Sequence, residues 1–312
     1  MQSDKDSILV VGSVAFDDLE MPSGIFHDVL GGAATYSSIA ASLLTPVRLV
    51  GVVGDDFSES HLDALRERKV DTSGVERAKG KTFRWRGRYS ADLSSRESLD
   101  TQLNVFADFR PKIPAEYKSS HFVLLGNIHP TLQSEVLTQV ERPKMIIADT
   151  MNFWISGEPK ALAEMLKKVD LLVINDEEAR QLSGETNLVK AARDIRGRGP
   201  KSLIIKRGEH GALLFDDAGT FFVPAYPLED VVDPTGAGDS FAGGLVGYLA
   251  SHRDSSPAAL RRAMFFAASL ASFCVEGIGP RKLFAATRAD LRTRLDAFSR
   301  MVDYGGNLHL AE

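Results

Sequence analysis

Six short apolar runs, separated by helical stretches, constrain this 312-residue chain more than any other feature. They are residues 8–11, 47–53, 122–125, 145–148, 171–174 and 203–206. Each is rich in Val, Ile and Leu, and most stop at Gly, Asp or Asn. Continuous apolar strands of this kind are buried on both faces. Helical patterns fill the gaps, at 31–44, 58–68, 132–140, 160–168, 176–182 and 188–196. Strand and helix in strict alternation predict parallel βαβ units and a layered α/β fold. Residues 212–215 and 220–223 read as a hairpin, and three more helices follow at 241–251, 257–275 and 287–302.

The alternation breaks once. From Thr82 to Tyr89 the period is two, with Phe83, Trp85 and Tyr89 on one face and Arg84, Arg86 and Arg88 on the other. This predicts a small antiparallel sheet inserted into the body, with 104–109 as a partner strand and part of 15–30 as another. The expected organisation is one domain over 1–312, with a β lid built discontinuously from about 15–30 and 80–112. The tail, 305–312, reads as loose.

A net charge of −5 argues against a broad nucleic-acid or anionic-membrane surface. The single cysteine, Cys274, lies in an apolar run, which rules out an internal disulfide and suggests a buried core thiol. No stretch reads as a membrane span and residues 1–7 lack a signal-peptide pattern, so a cytoplasmic enzyme is expected.

The chemistry concentrates in residues 231–244, Val-Val-Asp-Pro-Thr-Gly-Ala-Gly-Asp-Ser-Phe-Ala-Gly-Gly. Asp233-Pro234 stops regular structure, Gly236, Ala237 and Gly238 form a turn with almost no side-chain bulk, and a helix starts at once. A helix N-terminus with small residues suits an anion, through free N–H groups and the helix dipole. Asp239 in the mouth of such a site repels phosphate. Its presence makes sense if it takes a proton from a nucleophile that attacks phosphate. As an isolated residue it would read as an ordinary N-cap.

This run resembles the C-terminal signature of the ribokinase-like (PfkB) family of carbohydrate and nucleoside kinases. Weaker matches spread over most of the chain. The resemblance implies a three-layer fold, with a mostly parallel central sheet and a small β-sheet lid. It implies an ATP-dependent, Mg²⁺-requiring transfer to a hydroxyl of a sugar or polyol, with Asp239 as base and Gly236, Ala237 and Gly238 as anion hole. Asp17, in Gly12-Ser13-Val14-Ala15-Phe16-Asp17, matches the family's substrate aspartate, and Gly31-Gly32 its sugar-side glycine pair. Asn175 and Glu178 match an Asn-x-x-Glu motif that arranges water and Mg²⁺, so Glu178 would act on the metal indirectly. Asp149-x-x-Asn152 resembles a second motif near the phosphates. Lys206, Arg207, Gly208 and Gly211 resemble the nucleotide-side turn, and 267–279 the adenine border. Asp233 and Thr235 match positions where many members hold K⁺. Lid-to-lid pairing in such families implies a homodimer. Asn127, at the end of the 122–125 strand, is a further substrate-side candidate.

Two departures bear on the substrate. Ala15 and Tyr36 stand where ribokinases carry asparagines that contact the sugar, which argues against ribose. Tyr36 could stack on a ring or serve the core. Nucleoside and inositol acceptors stay open, as does a nucleotide-binding regulator without turnover. An anionic acceptor is expected only if the arginine face of the lid turns to the cleft. Other chemistries lack their motifs: there is no P-loop, no dinucleotide fingerprint after a strand, no Gly-x-Ser-x-Gly and no paired-histidine zinc spacing.

Overall fold

The computed structural model describes residues 7–303 and Gly305, so the tail from 306 on lies outside the described residues. β1 (Ile8–Val11) is followed by β2 (Ala15–Met21), β3 (Gly24–Gly31), α1 (Ala33–Ser42), β4 (Val47–Val53), α2 (Glu59–Glu67) and β5 (Val70–Arg77). Next come β6 (Phe83–Tyr89), β7 (Arg96–Gln102), β8 (Phe122–Leu125), α3 (Pro130–Leu137) and β9 (Met145–Ala148). Then follow α4 (Asn152–Gly157), α5 (Pro159–Leu166), β10 (Leu171–Asn175), α6 (Asp176–Ser183), α7 (Leu188–Gly197) and β11 (Ser202–Lys206). The chain closes with β12 (Ala212–Asp216), β13 (Gly219–Val223), α8 (Ala237–His252), α9 (Pro257–Val275), α10 (Arg281–Ala285) and α11 (Arg288–Val302).

Nine strands form the central sheet in the order β13-β12-β11-β10-β9-β8-β1-β4-β5, parallel except for the β11–β12 and β12–β13 pairings. The apolar strands feed both faces, as their composition requires. Ile8 and Val10 join one core with α1, α8, α9 and α11, while Leu9 and Val11 join the other with α3, α5 and α7. Val173 and Ile204 repeat the first choice, Ile174 and Ile205 the second. Helices on both faces make the fold three-layered. Because the core strands run parallel, β1, β8, β9, β10 and β11 all end at one edge, with Val11, Leu125 and Ala148 in register and Asn175 opposite Lys206. Ligand crevices of open α/β sheets form at this edge.

Against the sequence expectation, α9 is long and apolar enough to cross a membrane. It is instead packed into the body, 61% of the stretch buried, where it runs beside α8.

The second sheet has the order β3-β2-β6-β7 and draws on residues 15–31 and 83–102. The sequence reading misplaced one strand. The partner of β6 is β7, and 104–109 does not pair; Asn104–Asp108 is a 3-10 turn. Its aromatics explain both the expectation and its failure. Phe106 stacks between Phe83 (5.3 Å) and Phe109 (5.6 Å), so those rings fill a core joint between lid and body. β7, sequence RESLDTQ, is an exposed edge strand and shows no apolar alternation.

Candidate active site

The Asp233–Asp239 segment folds as its residues dictate. Gly236 caps α8 at φ 76, and a Cβ there would meet the Tyr36 ring at 2.4 Å. The position therefore needs glycine for both backbone and space. Tyr36 is fully buried, so its ring is a floor under the turn and its hydroxyl finds no protein partner. Ala237 gives its N–H to Pro234 O at 3.2 Å, whereas those of Gly236 and Gly238 find no acceptor among the described residues. Asp239 lies in the first turn of α8, and its carbonyl accepts from Ser37 Oγ at 3.0 Å, which ties α8 to α1.

Lys206, at the end of β11, lies against this turn: a Cβ on Gly238 would stand 2.8 Å from its Nζ. Lys206 Nζ is also 3.7 Å from Asp149 Oδ2 at the end of β9. Gln133 from α3 fixes that strand end, its amide donating to Gly126 O and Asp149 O at 2.9 Å each. Asn175 and Glu178 form a capping box on α6, with Asn175 Oδ1 accepting from Glu178 N and Asn175 N donating to Glu178 Oε2, both at 2.8 Å. Glu178 thus serves the helix end through Oε2, and no hydrogen bond to Oε1 is made among the described residues.

Asp17 stands on the lid side. β2 pairs with β3 through a bulge between Asp17 and Leu19, the kind of irregularity that re-aims a side chain. Its carboxylate occupies the space that a Gly31 side chain would take, 2.1 Å from the hypothetical Cβ. So Gly31 makes room for Asp17, and Gly32 caps α1 at φ 95. Asp18, by contrast, accepts from Asp28 N at 3.0 Å and serves the hairpin.

These carboxylates share a field. Burial, then Asp233 and Asp239, push Asp17 up to about 8. Burial and the nearby Asp149 push Asp239 up to about 7, against the pull of Lys206 and Arg96. Glu178 also rises to about 7, for the same two causes in the same order. Burial works against the Lys206 ammonium, but Asp149, Glu178 and Asp239 outweigh it and hold its pKa above the ordinary lysine value. A half-neutral carboxylate at Asp239 suits a group that must accept a proton near pH 7.

Other candidates are placed less centrally. Arg207 N bonds Gly211 O at 2.8 Å, closing the turn around Gly208. Asn127 spends its amide on the protein: Nδ2 lies 2.9 Å from Met151 Sδ, and Oδ1 accepts from Trp154 Nε1 at 2.9 Å. Asp233 is fully buried, and its two oxygens accept from Thr235 N and Gly279 N, each at 2.8 Å. The Thr235 carbonyl takes the Cys274 thiol at 3.3 Å; burial pushes that thiol up to about 12, so it stays a donor. The arginine face of the lid does not serve the cleft. Arg86 and Arg88 pair with Glu20, and Arg84 with Asp28 and Asp56. The aromatic face does turn inward: Trp85 and Tyr89 join Leu19, Met21 and Ile278.

The glycine turn, Lys206, Asp239 and Asp17 thus gather at one sheet edge beside a β lid, and the fold is that of the ribokinases. The chain belongs to the pfkB family of carbohydrate kinases, whose profile matches residues 6–286. It is 33% identical over 247 residues to a cytidine kinase of Thermococcus kodakarensis, covering 77% of this chain and 88% of that one. It is 27% identical over 301 residues to an inositol 3-kinase of Oryza sativa subsp. japonica, covering 89% and 71%. The structure of Burkholderia thailandensis nucleoside kinase in complex with ADP-inosine superposes with a TM-score of 0.75 at 21% identity, covering 98% of this chain and 100% of that one. The protein is accordingly an enzyme, a kinase of this family with an α/β ribokinase fold.

Proposed function

We propose that the chain transfers the γ-phosphoryl group of ATP to a hydroxyl of a neutral polyol, either a free sugar-like compound or the ribosyl part of a nucleoside. The observation that carries this is the placement of Asp239 in the first turn of α8, beside two free N–H groups and Lys206, with Asp17 on the lid side. In the reaction the acceptor oxygen forms a bond to the γ-phosphorus, and the bond from that phosphorus to the bridging oxygen breaks. The electron pair leaves with ADP, and the acceptor proton passes to the Asp239 carboxylate. Gly236 and Gly238 N–H and the Lys206 ammonium stabilise the charge on the transferring group. Asp17, neutral or charged, orients acceptor hydroxyls.

Among the described residues no group of three His, Cys, Asp or Glu side chains could hold a metal. That fits Mg²⁺ carried on nucleotide phosphates and water, with Glu178 and Asp149 as the carboxylates facing that water. When bound, Mg²⁺ would neutralise phosphate charge. K⁺ at the Asp233 carboxylate and the Thr235 carbonyl is a further part of this proposal; each oxygen accepts one protein hydrogen bond and keeps a lone pair. A faster rate in K⁺ than in tetramethylammonium is expected, and identical rates would reject the cation site.

Within this reading, the likeness to a cytidine kinase favours the nucleoside acceptor over the free sugar. An assay of ADP release over a panel of hexoses, pentoses, cytidine, inosine and myo-inositol tests both. ATP binding without transfer to any acceptor would leave the regulator reading standing. A dimer through the lid would use the open edges β3 and β7, where Ile25 is 62% exposed. Ile25→Asp should weaken it, and sedimentation as a monomer at high concentration would overturn it.

A further inference from the structure

We infer that Arg96 of the lid is a further catalytic residue of this site, its guanidinium gripping the phosphoryl group in transfer from the lid side while Lys206 holds it from the body. The inference rests on the phosphotransfer reading above.

Arg96 opens β7 and pairs in register with Tyr89 on β6. Tyr89 is the latch between lid and anion turn, its hydroxyl 2.7 Å from Thr235 Oγ1. Arg96 therefore stands where the lid comes down on the 233–239 segment. Its side chain shares the inward face with Trp85 and Tyr89. The guanidinium carbon lies 5.5 Å from the Trp85 ring centre, and the strand register sets Arg96 beside Tyr89. An aromatic face orients it without neutralising it.

The contrast with its neighbours is informative. Arg84, Arg86 and Arg88 all find carboxylates on the outer face of the lid. Arg96 has no carboxylate within ion-pair distance among the described residues. Burial works against its charge, and Tyr89, Asp239 and Glu178 favour it; Arg96 in turn lowers Asp17 and Asp149. A cation set by β7 beside the Tyr89–Thr235 latch and paired with no carboxylate leaves room for an anionic group there. That group must be able to use a planar fork of N–H donors, which phosphoryl oxygens do. It must also need extra positive charge, because the carboxylates repel it. A phosphoryl group bound at the α8 N-terminus meets both conditions. An anionic acceptor does not, since it would sit against Asp17.

The test compares Arg96→Gln and Arg96→Lys with Arg88→Gln, a lid arginine of the outer face. kcat and KM for ATP and acceptor are measured, with calorimetric binding of ADP·Mg²⁺ in the presence and absence of aluminium fluoride. Arg96→Gln should lose about 100-fold or more in kcat with the ATP KM little changed. Aluminium fluoride should no longer tighten ADP binding, Arg96→Lys should recover part of kcat, and Arg88→Gln should match the native chain. Arg96→Gln with native kcat overturns the assignment. So does a loss confined to acceptor KM, which would make Arg96 an acceptor-binding group. Equal losses in Arg96→Lys and Arg96→Gln with lowered thermal stability would make it a structural clamp and also overturn it. Failure of the phosphotransfer reading shows differently: the native chain itself would transfer no phosphate and show no fluoride effect.

Discussion

The two sides of this molecule use the same residue types to opposite ends. On the outer lid, Glu20 is held below the ordinary glutamate value by hydrogen bonds from Arg88 and Arg86. Asp92 is drawn down to about 2 by Ser90 and Ser94. In the cleft, Asp17, Asp239 and Glu178 are raised to between about 7 and 8. The difference lies in their company. Outer carboxylates have donors within reach and water around them. Cleft carboxylates are buried beside one another, with Lys206 and Arg96 too few and too distant to settle every charge. Unsatisfied charge is costly to the fold and useful to a reaction, so the contrast separates structure from function.

The contrast breaks most sharply at Asp239. Asp239→Asn should cut kcat by about 10²–10⁴-fold while ATP binds as well or better, because a charge facing phosphate is gone. Steady-state kinetics and calorimetry check both halves. In the native chain, kcat/KM should fall on the acid side of about pH 7, where Asp239 takes up its proton. A folded Asp239→Asn chain with near-native kcat would return this residue to the helix cap.

Gly236→Ala comes next. It forces φ 76 on a residue with a Cβ and drives that atom into the Tyr36 ring. A cost of about 1–3 kcal/mol in stability is expected from the backbone term, with loss of most activity as the anion turn shifts. Thermal denaturation and kcat measure it; native values in both would mean the turn has slack.

Asp17 sharpens the comparison through pH. Its folded pKa of about 8 exceeds the model-peptide value of 3.8, so the folded chain holds an extra proton between these limits. Stability contributed by this group is therefore present at low pH and declines as pH rises from about 4 to 8. Asp17→Asn should flatten that slope, leaving the ligand-free chain more stable than native at pH 8 and less able to bind acceptor. Urea denaturation at pH 5 and pH 8 decides, and parallel slopes would refute the assignment.

The smallest effect belongs to the outer lid. Glu20→Ala removes a partner from both Arg86 and Arg88, whose own side chains are about half exposed and so remain solvated without it. Melting temperature should barely move, and kcat and KM should stay native. A marked kinetic change would show that the outer arginines do reach the reaction.

Much of this design is written locally. The buried strands, their parallel order and the glycine turn ahead of α8 follow from short-range pattern: apolar runs too continuous for one-sided strands, and a turn where only small residues fit. Asp239 was marked by the turn before it, whereas Asp17, Asn175 and Glu178 entered only through the family resemblance. What the sequence left open depends on contacts across long separations. Arg96 carries no local mark, since it stands in the charged edge strand β7, and only the pairing with β6 turns it to the cleft. The aromatics of 104–109 suggested a strand because a ring's partner cannot be read from its neighbours; stacking on Phe83 made the segment a turn instead. Lys206 and Asp149 are 57 positions apart, and Lys206 and Gly238 are 32 apart, yet parallel strand ends and the start of α8 bring them together. Local pattern decided which elements form. The tertiary fold decided which charges face each other without partners, because that is a property of the space between elements.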